Sequence, residues 1–187
     1  MNSQCTFEAR LHDQYRAYQL MKRKLRTAMA SKIIKNLRPT DLRNIYHAIH
    51  KKRPQSGMIP TIEAIPQARE SFLYMALFAS IYRSASRVSI KSALDLDAII
   101  FAWDYFCTLF PNHIRERRPF GRIRPANFDE AWVIILAINN GFADMGYCTT
   151  CHRNFLIIHG SKYLPVCQIC AMDNIRRHES AQTKTRG

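Results

Sequence analysis

A mainly α-helical fold with a small appended metal module is predicted by three features of this 187-residue sequence. Apolar residues recur at helical spacing through much of the chain, no strand signal of comparable length precedes Cys148, and four of the six cysteines fall in two CxxC pairs near the C-terminus. A hydrophobic content of 47% at this length is enough to bury a real core. The pattern divides into a helical body over 1–145, a cysteine module over 146–175 and a basic, polar tail over 176–187 that reads as disordered.

From Glu8 to about Asn36 there is no proline or glycine, and Leu11, Tyr15, Tyr18, Met21, Leu25, Met29 and Ile33 recur near helical spacing, which predicts one or two helices. After a break at Asn36 to Pro39, the positions Leu42, Ile45, Tyr46 and Ile49 make an amphipathic helix. Pro39 and Asp41 suit its first turn, and Lys51, Lys52 and Arg53 its last. Pro54, Gly57, Pro60 and Pro66 mark an irregular connection. Two further helices are expected: Ser71 to Tyr82, apolar nearly all round and so a core helix, and Ser92 to Phe110. An arginine- and proline-containing loop, 111–125, then leads to a helix from Phe128 to Asn140. Asn127 caps it, Asp129 and Glu130 lie in its first turn, and Gly141 stops it.

The longest apolar run, Phe72 to Tyr82, is far short of the roughly 20 residues that span a bilayer, and no apolar leader follows MNSQCTFEAR. A cytoplasmic protein with no membrane partner is the expectation. The net charge of +14 points instead to a polyanionic partner, since cations that displace counterions from phosphate gain affinity from their release. The charge is segregated. Residues 10–53 hold 13 Lys/Arg against Asp13 and Asp41, whereas 54–110 hold 4 Lys/Arg against 5 Asp/Glu. A second cluster, Arg115, Arg117, Arg118, Arg122 and Arg124 against Glu116, lies in the 111–125 loop, and Arg176 and Arg177 begin the tail. Charge of this kind suits DNA or RNA alike.

Cys148-x2-Cys151, fifteen residues, then Cys167-x2-Cys170 is the spacing of a four-thiolate zinc site, one ion per chain. Each CxxC bends the chain so that two sulfurs reach one ion, and Phe155, Leu156, Ile157 and Ile158 can pack beneath the connecting arm. Four thiolates fill the coordination sphere and leave no position for an activated water, so the role expected of the metal is structural. Such a site is formally −2, and Arg153 and Lys162 are placed to balance it. His152 and His159 read as surface or outer groups, and Cys5 and Cys107 as ordinary thiols.

Ala28 to Ala48 can be laid over a helix-turn-helix with Asn36 in the left-handed turn position and Leu42 and Ile45 as anchors of the second helix; a plain helical hairpin with a basic outer face fits the same residues. With the apolar stripe inward, Arg43, Asn44, His47, His50 and Lys51 face out. Arg and Asn are the side chains that pair bidentately with guanine and adenine edges. Lys22, Arg23, Lys24, Lys51, Lys52 and Arg53 are assigned to phosphates. There is no GxxxxGK[ST], GxGxxG or HExxH, and the 14 carboxylates do not cluster, so neither an enzyme nor a small-molecule substrate is expected.

Several blocks in the same order resemble a known family. DLRNIYHAIHKKRPQSGMIP (41–60) resembles its amphipathic helix, basic-proline linker and GMLP-like end; Ala131 and Trp132 open a helix ending at Gly141; and CTTCHRNF (148–155) resembles its first CxxC followed by NF. The family is FlhC, the zinc-containing subunit of the bacterial flagellar master regulator, with its relatives on conjugative elements. The likeness covers about residues 20–170. It implies a helical body that joins an FlhD-like subunit in a hetero-oligomer, binds double-stranded promoter DNA and helps recruit RNA polymerase, activating flagellar or conjugative-transfer genes. The family's four zinc cysteines fall on Cys148, Cys151, Cys167 and Cys170. His152 and Arg153 stand where it commonly has glycines. A zinc-ribbon RNA-binding or ribosome-associated protein is the alternative.

Overall fold

A computed structural model describes residues 3–111 and 123–174, and the chain divides into two compact units, Met1–Ile59 and Pro60–Gly187. The arginines 115, 117, 118 and 122 and the tail from 176 onward lie outside the described residues.

The first unit holds α1 (Ser3–Lys22), α2 (Thr27–Ala30) and α3 (Pro39–His50). Its core is Ala17, Leu20, Met21, Leu25, Met29, Ala30, Ile34, Leu37, Leu42 and Tyr46. The expected long helical stretch is broken after Lys22. Lys24 takes a left-handed conformation (φ 65°), its N–H reaching Met21 O at 2.9 Å while that of Leu25 reaches Leu20 O at 3.1 Å. This is the double hydrogen bond of a Schellman stop, with Leu20 and Leu25 buried as its apolar pair. The expected stripe is corrected as well. Met21, Leu25 and Met29 are buried as expected, but Leu11, Tyr15 and Tyr18 are exposed, at 55%, 62% and 44%, and Ala17 and Leu20 take their place on the buried face.

The helix-turn-helix expectation meets a different local geometry. α2 is a single turn, prolonged by hydrogen-bonded turns as far as Ile34, and Asn36 is not in the left-handed region. Asn36 is instead tied to α1, where its backbone N–H and side-chain amide both donate to Asp13 Oδ2, at 3.3 and 2.9 Å. α3 forms as the sequence predicts. Pro39 occupies its first turn, Asp41 accepts from the Arg38 backbone N–H at 3.0 Å, and Leu42 and Tyr46 bury its inner face. Lys51 closes the helix in the left-handed conformation (φ 53°).

The second unit begins with a 3-10 turn (Ile62–Ala64), followed by α4 (Arg69–Ala85), α5 (Leu96–Leu109), α6 (Phe128–Asn139) and a two-stranded antiparallel sheet, β1 (Ala143–Tyr147) with β2 (Asn154–Ile158). Residues 168–174 are helical. α4, α5 and α6 pack on one another around Phe78, Phe106, Ile99, Phe128 and Trp132, with Phe78 edge-on to Phe106 at 5.8 Å. α4 is the expected core helix and buries Phe72, Met75, Phe78, Ala79 and Tyr82. Asp95 and Asn127 cap α5 and α6, accepting from Ala98 N (3.0 Å) and Glu130 N (2.9 Å).

α6 is buried almost all round, including Asp129 and Glu130. Arg124 from the expected surface cluster turns inward to meet Glu130 at 2.6 Å, with the two side chains 16% and 10% exposed, and the Ala126 N–H donates to the same carboxylate at 2.7 Å. β1 is a strand the sequence does not announce. ADMGY alternates over only five residues and contains Ala, Asp and Gly, which are poor strand formers; it is a strand because it pairs with β2, from Ala143↔Ile158 to Tyr147↔Asn154. β2 packs on α4 and β1 on α6, with Leu156 and Ile158 buried. Among the described residues no helix is long and apolar enough to cross a membrane.

Candidate functional site

The hairpin joins two strands through a knuckle that carries Cys148 and Cys151. The Cys148 N–H donates to Arg153 O at 3.0 Å, and the His152 N–H to Cys148 O at 2.9 Å. This tight reversal requires a left-handed residue, and His152 supplies it at φ 56°, with Nδ1 3.1 Å from Tyr147 Oη. Histidine is among the residues that tolerate the region, and glycine adopts it freely. Gly146, one residue before Tyr147, lies under the Phe155 ring: a Cβ there would sit 2.8 Å from Phe155 Cζ.

The second pair lies where the chain turns into the 168–174 helix, and the Ala171 N–H closes that turn on Cys167 O at 2.9 Å. Gln168 is buried, and its Nε2 donates to Leu156 O at 2.9 Å, fastening the second pair to β2. The sequence reading missed Gln168 as a fastener. Nothing in a polar residue between two cysteines marks it as inward-pointing.

The four thiols converge. Cys148 and Cys170 are 3.7 Å apart at sulfur, Cys151 and Cys167 3.5 Å, and all four sulfurs lie within 4.8 Å of one another. A tetrahedron of sulfurs around zinc, with bonds of about 2.3 Å, has edges of about 3.8 Å. The donor set and its spacing therefore fit a four-thiolate metal site such as zinc. Cys167 is buried and the other three are partly exposed.

The thiols do not share one acidity. Backbone N–H groups of Cys151 and Thr150 draw Cys148 down to about 6; burial pushes Cys167 up; and hydrogen bonding among the thiols, from Cys151 first, pushes Cys170 up to about 12. Cys148 is thus the thiol that ionises more readily than Cys167 or Cys170, and a nearby cation would favour their negative charge. A cavity beside the sulfurs is lined by Cys148, Cys167, Cys170 and Arg69, the first residue of α4. Arg69 lies far from the cysteines in sequence and was not expected there. Lys162 instead stands over the Tyr163 ring, 5.3 Å from its centre. His159 is bound to Asp144, at 3.0 Å, and takes no part in the cluster.

On the first unit, Arg43, Asn44 and His47 lie on the exposed face of α3, and Lys51, Lys52 and Arg53 follow it, also exposed. His50 is corrected from outward to inward: its Nε2 is 2.8 Å from Met21 O and its ring lies tilted against that of Tyr46, with centroids 4.6 Å apart. It sits one turn further along, on the stripe that meets α1. Arg23 is half-buried, and its guanidinium donates from Nη1 to Gln19 O and Oε1, each at 2.8 Å. Lys22 and Lys24 remain exposed. Compared with models of known protein families and with curated proteins, the sequence matches none.

Proposed function

We propose that this chain is a DNA-binding transcription activator subunit of the FlhC type. It would act in the cytoplasm in a hetero-oligomer with an FlhD-like partner, recruit RNA polymerase, and control flagellar or conjugative-transfer genes. The observation that carries this reading is the outer face of α3. Arg43, Asn44 and His47 are exposed there and run into Lys51, Lys52 and Arg53, on a unit whose 13 Lys/Arg face only Glu8, Asp13 and Asp41. Asp13 is held by Asn36 and Asp41 by Arg38, so neither is spent on the α3 face. Segregated cations of this kind bind a polyanion with a strong salt dependence.

Zinc on Cys148, Cys151, Cys167 and Cys170 would serve structure, cross-linking the hairpin to the 168–174 helix with no open coordination position. A protein partner is supported by apolar side chains left in solvent. The run FLYMALFASIY, on sequence grounds the reason to expect one, is mostly core. The exposed groups are Phe7, Leu11, Tyr15 and Tyr18 on α1, and Phe101, Tyr105 and Leu109 on α5, each set at helical spacing. The test is binding of the zinc-loaded chain, alone and with an FlhD-like subunit, to duplex DNA and to single-stranded RNA at one salt concentration. Preference for the duplex supports the proposal; preference for RNA would favour the zinc-ribbon RNA-binding reading instead.

A further inference from the structure

The segment after α3 does not leave the basic face open. Residues 53–59 fold back beside α3 and form the second wall of an open cleft of about 840 Å³. Arg43, Asn44 and His47 line it from α3, and Arg53, Gln55 and Ser56 from the returning segment. That wall is built. The Arg26 guanidinium donates to Gly57 O at 3.0 Å and to Met58 O at 2.5 Å, and Gly57 turns the chain at φ 118°. Among the described residues no carboxylate lines the cleft. Among the described residues, the side chains of Arg43, Asn44, His47 and Arg53 make no hydrogen bond or ion pair, so their donors are available to a ligand.

We infer that this cleft is a phosphodiester site in which Arg43, His47 and Arg53 clamp the backbone of DNA, a refinement that rests on the DNA-binding reading above. Two guanidinium groups, a ring N–H, two amides and a hydroxyl form a donor set matched to phosphate oxygens, which only accept. Base reading asks something else of α3. A reading helix must enter a major groove about 12 Å wide with its outer side chains leading, and here those side chains line a cleft beside a second wall. Lys51 and Lys52, exposed at the end of α3, continue the cationic surface, which suits a polymer rather than a single small anion. α3 therefore positions the protein on DNA, and sequence is read by other parts of the assembly.

The test uses the full zinc-loaded chain, with its partner subunit where one is needed for solubility. Two probes are required: a mixed-sequence duplex of about three helical turns and the tightest duplex selected from a random pool. Arg43→Ala, His47→Ala and Arg53→Ala should each weaken binding by the same factor on both probes, and each arginine change should flatten the salt dependence of log K by about 0.9. Gly57→Val keeps every cation but strains the turn of the second wall, and it should weaken both probes equally as well. Unchanged zinc content and thermal unfolding show that the variants are folded.

Losses confined to the selected duplex would overturn the inference in favour of base reading. Wild-type affinity in all four variants would overturn it while leaving DNA binding intact. Tight, saturable binding of inorganic phosphate that is abolished by Arg43→Ala, with duplex affinity unchanged, would overturn it in favour of a small-anion site. Failure of the unmodified protein to bind either duplex would instead remove the DNA-binding reading itself, and the inference with it.

Discussion

Cys167 is the buried member of the four thiols, so its loss should be felt most. Serine there keeps the volume but offers zinc a poor ligand, and the remaining three sulfurs cannot close the tetrahedron. Metal analysis of anaerobically prepared protein should find one zinc per chain in the wild type and much less in Cys167→Ser, together with a lower urea midpoint. A zinc-free wild type would refute the metal assignment. Glu130 is a second sensitive position, because its carboxylate serves both Arg124 and the Ala126 N–H in a buried setting. Glu130→Ala leaves a largely buried guanidinium and a half-buried amide without their acceptor, and should cost about 2–3 kcal/mol in denaturant unfolding. Arg124→Met with Glu130→Gln retains an acceptor for Ala126 and should cost much less. The cysteine cluster is legible because its chemistry is written in the spacing of the four residues. The inward turn of Arg124 was not, because its neighbours Arg117, Arg118 and Arg122 make it look like one more member of a surface cluster.

The elements were legible where a terminus carries its usual residue. Asn127 before α6 and Pro39 with Asp41 in α3 have recognisable side chains, and those helices start where the sequence places them. The end of α1 carries no such mark, since its left-handed residue is Lys24 rather than glycine or asparagine. The apolar residues Leu11, Tyr15 and Tyr18 read as a continuation of the core face of Met21 and Leu25, although they are exposed and the buried face of α1 is completed by Ala17 and Leu20. β1 depends on its pairing with a strand that begins only after the Cys148–Arg153 knuckle, and its own five-residue alternation is too short to mark it alone. The stop at Lys24 yields a prediction. Lysine pays a steric cost in the left-handed region that glycine does not, so Lys24→Gly should raise stability by about 0.5–1 kcal/mol in urea unfolding. A fall in stability would mean that the lysine makes a contribution the backbone geometry does not account for.

At the scale of the whole molecule, each unit has its own core: Leu20, Met21, Leu25, Ile34 and Leu42 in one, and Phe78, Tyr82, Phe106, Phe128 and Trp132 in the other. The four thiols belong entirely to the second, whose strands pack on α4 and α6. The cationic α3 face belongs entirely to the first. On the proposed reading the metal and the nucleic-acid contacts fall in separate compact units, and removing zinc should act on one of them. In the full chain, a chelator should speed amide hydrogen exchange through β1, β2 and 168–174, and more weakly in the segments of α4 and α6 that back the sheet, since local opening spreads through shared packing. Amides of α1 and α3 should keep their protection, and affinity for mixed-sequence duplex should change little, because Arg43, His47 and Arg53 remain in place. Hydrogen exchange with mass readout, run with and without chelator and followed by the same duplex titration, measures both. If protection in α1 and α3 falls together with that of the hairpin, the two units unfold as one, and loss of zinc would then silence DNA binding through stability rather than through any contact of the metal module with DNA.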